Sequence, residues 1–374
     1  MPNICSQRLS VAEAYWRITN RLGSFGTALG LVLQRDGGQL KPKRIGATAT
    51  EWSVPWPRFA ARADGKLCVA TALAIADEIS SYGGMACWDQ KRRAGLTLSI
   101  SGMLAGDSGH VPSVAAGEEL HFVSRRLKTG RQLGYMELEV WRGSPSATQF
   151  DGDASPATDP SSAAAELLMV GRHSKMLALP TPLLSPVTLA DAFSQSRVYP
   201  LLQPAALGCF ETLYPDVRPW LAPETRLEIF PALDPVAATG ADGAAKPGAP
   251  LRMMGGGMPS TFSAPLSPVW CNALGNLHGG AACILGEHIA ASAYAQAMGV
   301  SSAPPARTMH VQLLSGLVCD GRAAVFEAAT SPPRGGEPAS TLATLRHAKD
   351  AGRAVECMTW WASDAASGSA HASV

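Results

Sequence analysis

The chain is poor in charge: Asp, Glu, Lys and Arg make up 16% of its 374 residues, and 31 basic residues nearly cancel 30 acidic ones. A net charge of +1 leaves no global field that would recruit nucleic acid or an acidic membrane. Paired cysteine motifs are also missing. None of the eight cysteines, at 5, 68, 87, 209, 271, 283, 319 and 357, forms a C-x-x-C pair, and most sit in apolar runs. That pattern argues against a zinc site and for reduced, buried thiols in an intracellular protein. No apolar run reaches the roughly 18 residues of a membrane-crossing helix, so no span is expected. The first 23 residues lack the apolar centre of a secretory signal, and they carry Arg8, Arg17 and Arg21 against one acid, Glu13. This composition is open to a mitochondrial presequence, but a structural amphipathic helix is the favoured reading. The expected compartment is therefore cytoplasmic or mitochondrial.

What is present is an internal repeat. Residues 52–70 (WSVPWPRFAARADGKLCVA) align without a gap on 262–280 (FSAPLSPVWCNALGNLHGG) at an offset of 210, and at the same offset Asp77 falls on Glu287. Further on, LTLSISG at 96–102 pairs with HVQLLSG at 310–316 once four extra residues are allowed. The length and the 46% apolar content leave room for two ordinary domains. The repeat places them at about 1–180 and 190–365, followed by a flexible tail at 366–374.

Each half reads alike: an extended segment, a Gly-x-Leu step, a helix, then strands. The helices TALAIADEISSYGGMA (71–86) and GAACILGEHIAASAYAQAM (280–298) are apolar nearly all round, which marks helices wrapped by other structure. After the first come LTLSISGML, EELHFVSRRL, QLGYMELEVWR and AELLMVGRH; after the second come TMHVQLLSGLV, AAVFEAATS, STLATLRHA and AVECMTWWA. Bounded by Gly and Pro, these runs predict antiparallel meanders, hence an α+β fold with one long buried helix wrapped by an antiparallel sheet in each half. The stretches 143–162, 236–259 and 331–340, rich in Gly, Pro, Ser and Ala, read as surface loop insertions.

The sharpest motif is Asn272-x-x-Gly275-x-x-His278-Gly279-Gly280, with Glu287 nine residues after the histidine. It resembles the HGG signature of the hotdog-fold thioesterase superfamily, in particular the phenylacetate-pathway and 4-hydroxybenzoyl-CoA thioesterase types. The resemblance covers the second half well and extends to the first through the repeat, so it implies a tandem double hotdog. Glycines at a helix N-terminus let a ligand approach the backbone and leave amide N–H groups without intrahelical partners. Such amides, aided by the helix dipole, can hold a thioester oxygen as it turns negative. The resemblance implies this role for Gly279, with Gly280 at the substrate, Asn272 assisting and His278 supporting the turn. A carboxylate then activates water or attacks the thioester directly. No metal or redox cofactor is implied; coenzyme A enters only as part of the substrate.

Two acids compete. Gly279 and Glu287 lie eight residues apart, about 12 Å along a helix, so serving one reacting carbon from the same helix is strained. In the family the acid comes from the partner subunit, which in a fused pair implies Asp77 of the first half. The halves are unequal in a way that fits. The first half has Cys68-Val69-Ala70 in place of HGG and Arg62 in place of Asn272, yet it keeps Asp77 and, at i+4, Ser81. The expected arrangement is one composite site of Asn272, Gly279, Asp77 and Ser81, and a dead one pairing Glu287 with Cys68-Val69-Ala70. One of Asp77 and Glu78 is open to being a mere surface charge. Thr308 is a candidate hydroxyl at the start of a strand, and Lys91, Arg92 and Arg93 are candidates for the phosphates of coenzyme A. His288, His310 and Trp360-Trp361 read as packing residues. The leading function is acyl-CoA hydrolysis. The alternatives are an inactive acyl-binding or structural subunit of a larger complex, and a hotdog dehydratase or hydratase, which needs a positioned His–Asp pair that no local signature reveals. The fused pair could stand alone, form a homodimer or join a larger assembly.

Overall fold

In the computed structural model the described residues are 4–22, 25–60, 62, 64–90, 93–106, 111–146, 150, 165–177, 236–237, 252–253, 260–266, 270, 272, 276–319, 323–333, 337–347 and 352–362. The proposed junction between the halves, most of the three insertions and the tail lie outside them. Helix α1 (Ile4–Leu22) precedes strands β1 (Lys41–Ile45) and β2 (Ala49–Pro55). Helix α2 (Val69–Glu78) follows and runs on through a π-helical stretch, Ile79–Met85, into a last turn at Ala86–Trp88. Then come β3 (Leu96–Leu104), β4 (Glu119–Thr129), β5 (Leu133–Arg142) and β6 (Glu166–Met176). Two short strands, β7 (Val236–Ala237) and β8 (Arg252–Met253), fall in a stretch expected to be all loop. The second half continues with β9 (Ser260–Pro265), helix α3 (Gly279–Met298), β10 (Ala306–Leu313), β11 (Ala323–Ser331), β12 (Ser340–His347) and β13 (Val355–Trp361).

All thirteen strands form one sheet in the order β1-β2-β4-β5-β6-β3-β10-β13-β12-β11-β9-β8-β7. The seam between the halves is the antiparallel β3–β10 pair, with Met103 opposite Thr308 and Ser101 opposite His310. Every residue of α2 is buried, and so are Ala281, Ala282, Cys283, Leu285 and Ile289 of α3, which matches their apolar sequences; the last turn of α3 reaches the surface at Gln296 and Ala297. The helices touch each other, and Gly280 has Ala74 Cα only 2.9 Å from where its Cβ would lie. One apolar cluster runs through both halves, from Trp16, Trp52 and Phe122 to Ile289, Phe326 and Trp361.

Helix α1 belongs to this core. Its Trp16 is fully buried and meets Tyr82 and Trp52 edge-on, while Tyr15 stacks on Tyr82 at 5.3 Å. No helix among the described residues is long and apolar enough to cross a membrane. Two expectations need correction. The strand expected over 308–318 ends at Leu313, and Val318 beyond it is exposed. His310, expected to pack, points outward, because the seam strand alternates faces and Met309 and Val311 take the inner one.

Candidate active site

The site forms where α2 of the first half meets the N-terminus of α3 in the second. Asp77 sits near the end of α2 and is fully buried. Its Oδ2 accepts the Gly280 N–H at 2.7 Å and lies 3.1 Å from His278 Nδ1. Its Oδ1 accepts the Thr97 hydroxyl at 2.8 Å and lies 3.2 Å from His173 Nε2 and 3.7 Å from Lys175 Nζ. The carboxylate thus caps a helix of the other half, where the helix dipole and an unpaired first-turn amide favour negative charge. Burial by itself would raise the Asp77 pKa. His278, Lys175, His173 and the Thr97 hydroxyl outweigh it and hold the carboxyl well below the usual carboxylate range.

His278 is the N-cap of α3, in extended backbone conformation. Its Nδ1 is near both Gly280 N and Asp77 Oδ2, and its Nε2 lies 3.1 Å from Glu78 Oε1. Gly280 N–H donates to both Asp77 Oδ2 at 2.7 Å and His278 Nδ1 at 3.1 Å, so the carboxylate and the N-cap imidazole share the first-turn amide. Burial lowers the His278 pKa, but Glu78 and Asp77 on either side raise it overall. Neither Asp77 nor Glu78 is a surface charge, contrary to the expectation for one of them. A helix enclosed on all sides buries two consecutive residues even though they point about 100° apart.

Where α2 passes into its π-helical stretch, the hydroxyls of Ser80 and Ser81 both donate to the Asp77 carbonyl. Ser81 also accepts from Lys175 Nζ, and Ser80 Oγ lies 2.7 Å from His173 Nδ1. Lys175 and His173 come from β6, a strand from which the sequence offered no site residue. Burial and the neighbouring Lys175 push His173 down to about 3, against a smaller upward pull from Asp77, so its imidazole is neutral.

The buried neutral imidazole gives a pH dependence of known sign. Below about pH 6.5 the unfolded chain takes up a proton that folded His173 refuses, so stability falls with pH until the folded value is reached. The loss between pH 6.5 and 5 is about 2 kcal/mol. His278 works oppositely: its contribution is fully present below pH 6.5 and fades as pH rises through its raised folded value. His173→Gln is expected to flatten the acid limb of urea unfolding between pH 6.5 and 5. An unchanged slope would assign that limb elsewhere.

The glycines serve closeness of a different kind from that expected. A Cβ on Gly279 would lie 2.8 Å from Asp77 Oδ2 and 2.9 Å from Thr97 Cβ, and one on Gly280 would meet Phe25 and the Ala74 backbone. They admit the first half's own side chains and helix as well as opening the helix N-terminus. Asn272 is held by its own turn, accepting Asn276 N–H on Oδ1 at 3.3 Å and donating its N–H to Asn276 O at 2.7 Å. Thr308 is half-buried on β10 opposite Met103, while Thr97 on β3 supplies the hydroxyl at Asp77. Arg93 spends its donors on Asp89 and on the carbonyls of Arg131 and Leu177, so it fastens the end of α2 to the strands. Lys91, Arg92 and Gly275 lie outside the described residues. Glu287 is buried in the other place, beside Cys68.

Each central helix lies against an antiparallel sheet, and the two sheets join edge to edge at β3–β10. The chain is a double hotdog. No family model matches it, and no curated protein does. Solved structures with a similar fold include an acyl-CoA thioesterase II from Mycobacterium marinum, 10% identical, covering 85% of this chain and 92% of that one at a TM-score of 0.41. A 12:0-ACP thioesterase from Umbellularia californica is 9% identical, covering 84% and 93% at 0.45. A hot dog-fold protein from Alicyclobacillus acidocaldarius is 10% identical, covering 85% and 93% at 0.44. The double hotdog's two central helices set the Asp77 carboxylate against the Gly279–Gly280 turn.

Proposed function

We propose that the chain hydrolyses an acyl-CoA thioester to a free acid and coenzyme A at the Asp77 site. The observation that carries this reading is the Gly280 N–H bond to Asp77 Oδ2, which brings a carboxylate of one half to the helix N-terminus of the other. Asp77 is ionised and anchored, so it acts as nucleophile or as acceptor for an attacking water. Gly279 N–H, the first amide of α3, has no intrahelical acceptor and faces the developing oxyanion. The HGG resemblance of the sequence points to the same chemistry. His278, set between Asp77 and Glu78, can protonate the leaving thiolate.

The His278–Asp77 contact also favours a second reading, a hydratase or dehydratase acting on a 2-enoyl or 3-hydroxyacyl thioester. There the imidazole and the carboxylate would move the proton and the water across the double bond. One assay separates the two. With crotonyl-CoA as substrate, hydrolysis releases free thiol, whereas hydration removes the enoyl absorbance and leaves the thioester intact. Thiol release from saturated and unsaturated acyl-CoAs alike is the expected result. Loss of enoyl absorbance without thiol would replace the first reading with the second, and neither signal, from folded protein, would return the chain to an acyl-binding or structural role.

A further inference from the structure

The contacts at Asp77 recur 210 positions away. His278 caps α3 with Nδ1 3.1 Å from Asp77 Oδ2, and Gly280 N–H donates to that carboxylate. In the same places, Cys68 is the N-cap residue of α2 and donates from Sγ to Glu287 Oε2 at 3.0 Å. Thr71 Oγ1 donates to Cys68 Sγ at 3.2 Å. The sequence alone marks this place as dead, because Val69 stands where a glycine would. The structure shows it assembled to the same plan with a thiol in place of the imidazole.

Two observations set it apart from a decayed copy. Glu287 is only 7% exposed, yet its Oε1 has no hydrogen-bond partner. A buried acceptor left unsatisfied costs about 1–3 kcal/mol, which decay toward an apolar residue would remove. Cys68, by contrast, is partly exposed, whereas the other free cysteines among the described residues are buried. The Cys68 thiol therefore rests on a carboxylate that holds one lone pair unused.

We propose that Cys68 and Glu287 form a second, thiol-based site that accepts the acyl group of a thioester. The inference rests on the reading that this chain takes acyl thioesters, but not on the Asp77 site being the one that hydrolyses them. Burial raises the Glu287 carboxyl, the Cys68 bond and the Arg62 charge opposing it, and so makes Glu287 a stronger base than an ordinary glutamate. Burial and the Glu287 charge push the Cys68 thiol up, so it waits protonated. As Cys68 Sγ bonds to the carbonyl carbon, Glu287 takes the thiol proton. The bond from that carbon to the departing sulfur then breaks, and Glu287 returns the proton to the leaving thiolate. One thiol enters and one leaves, with no oxidant. Val69 does not obstruct this chemistry, since the reacting carbon is carried on residue 68, ahead of the helix. Thr71 Oγ1, which donates to Cys68 Sγ, is the hydroxyl beside the reacting sulfur.

The test is covalent labelling of the full chain with acetyl-CoA and, separately, S-acetyl-N-acetylcysteamine, quenched in acid and read by intact mass and peptide mapping. The expected result is one hydroxylamine-sensitive acetyl group per chain on Cys68, absent in Cys68→Ala and formed about a hundredfold more slowly in Glu287→Gln. In Asp77→Asn the label should form while steady thiol release is lost. A labelled Cys68 in a chain that never turns over would sink the Asp77 reading and leave this one standing. An unlabelled Cys68 with both donors, or equal labelling rates in wild type and Glu287→Gln, overturns the second site whatever the turnover.

Discussion

Replacement of Asp77 by asparagine is expected to lower kcat/KM for thiol release about a thousandfold or more while the chain stays folded. Asparagine keeps the volume, and its one carbonyl oxygen can still accept either the Gly280 N–H or the Thr97 hydroxyl, which bond different oxygens of the carboxylate. It removes the negative charge that attacks or activates water. Asp77→Ala should do more. Lys175 and His278 would then face a buried space without their counter-charge, and breaking a buried ion pair in this way costs about 3–5 kcal/mol. The two variants together separate chemistry from folding: urea midpoints should fall far for alanine and less for asparagine, while both lose activity. Wild-type turnover in Asp77→Asn would remove Asp77 from the reaction and leave it a structural cap.

Substitution of the glycine pair should split the same way. Gly279→Val places a branched side chain where Asp77 Oδ2 and Thr97 already stand within 2.9 Å of the Cβ position. The carboxylate is the group with somewhere to go, so activity should vanish at a stability cost of about 1–3 kcal/mol. Gly280→Ala meets the Ala74 backbone at 2.9–3.0 Å and the Phe25 ring at 2.8 Å. Backbone cannot rotate aside, so here the two helices must part, and the loss of stability should exceed that of Gly279→Ala. Thermal melts of the two alanine variants measured beside thiol release would show it; equal melting of both would mean the helix contact is softer than its geometry.

The parts of the fold written in local pattern are readable in the sequence. The all-round apolar helices, the meander strands and the Asn272…His278-Gly279-Gly280 run each depend on neighbours in the chain; the repeat offset aligns Asp77 with Glu287, and the family resemblance implies Asp77 for the second half's glycine turn. Thr97, His173 and Lys175 are not readable, because they reach Asp77 from strands whose register against α2 is set only by tertiary pairing. A signal does exist in β6, where His173 and Lys175 are buried while neighbouring Arg172 is exposed: two polar residues at alternate, inward positions of a strand. The π-helical stretch has only the Gly83-Gly84 pair to announce it, and glycines late in a helix are open to many readings. Local pattern judges Cys68 by the glycine missing beside it. What matters is its partner, 219 residues distant in the chain.

The β3–β10 seam has a consequence for any shortened version of the chain. Met103, Ser101 and Ser99 are paired on one side with β6 and on the other with β10, so β3 is an interior strand of the whole sheet. A first half produced alone would turn it into an open edge, with a row of unspent N–H and C=O groups beside the exposed Met103. Such an edge binds whatever strand comes first, another copy included. The second half therefore acts as the guard that keeps the first from self-association, besides supplying a helix to its acid.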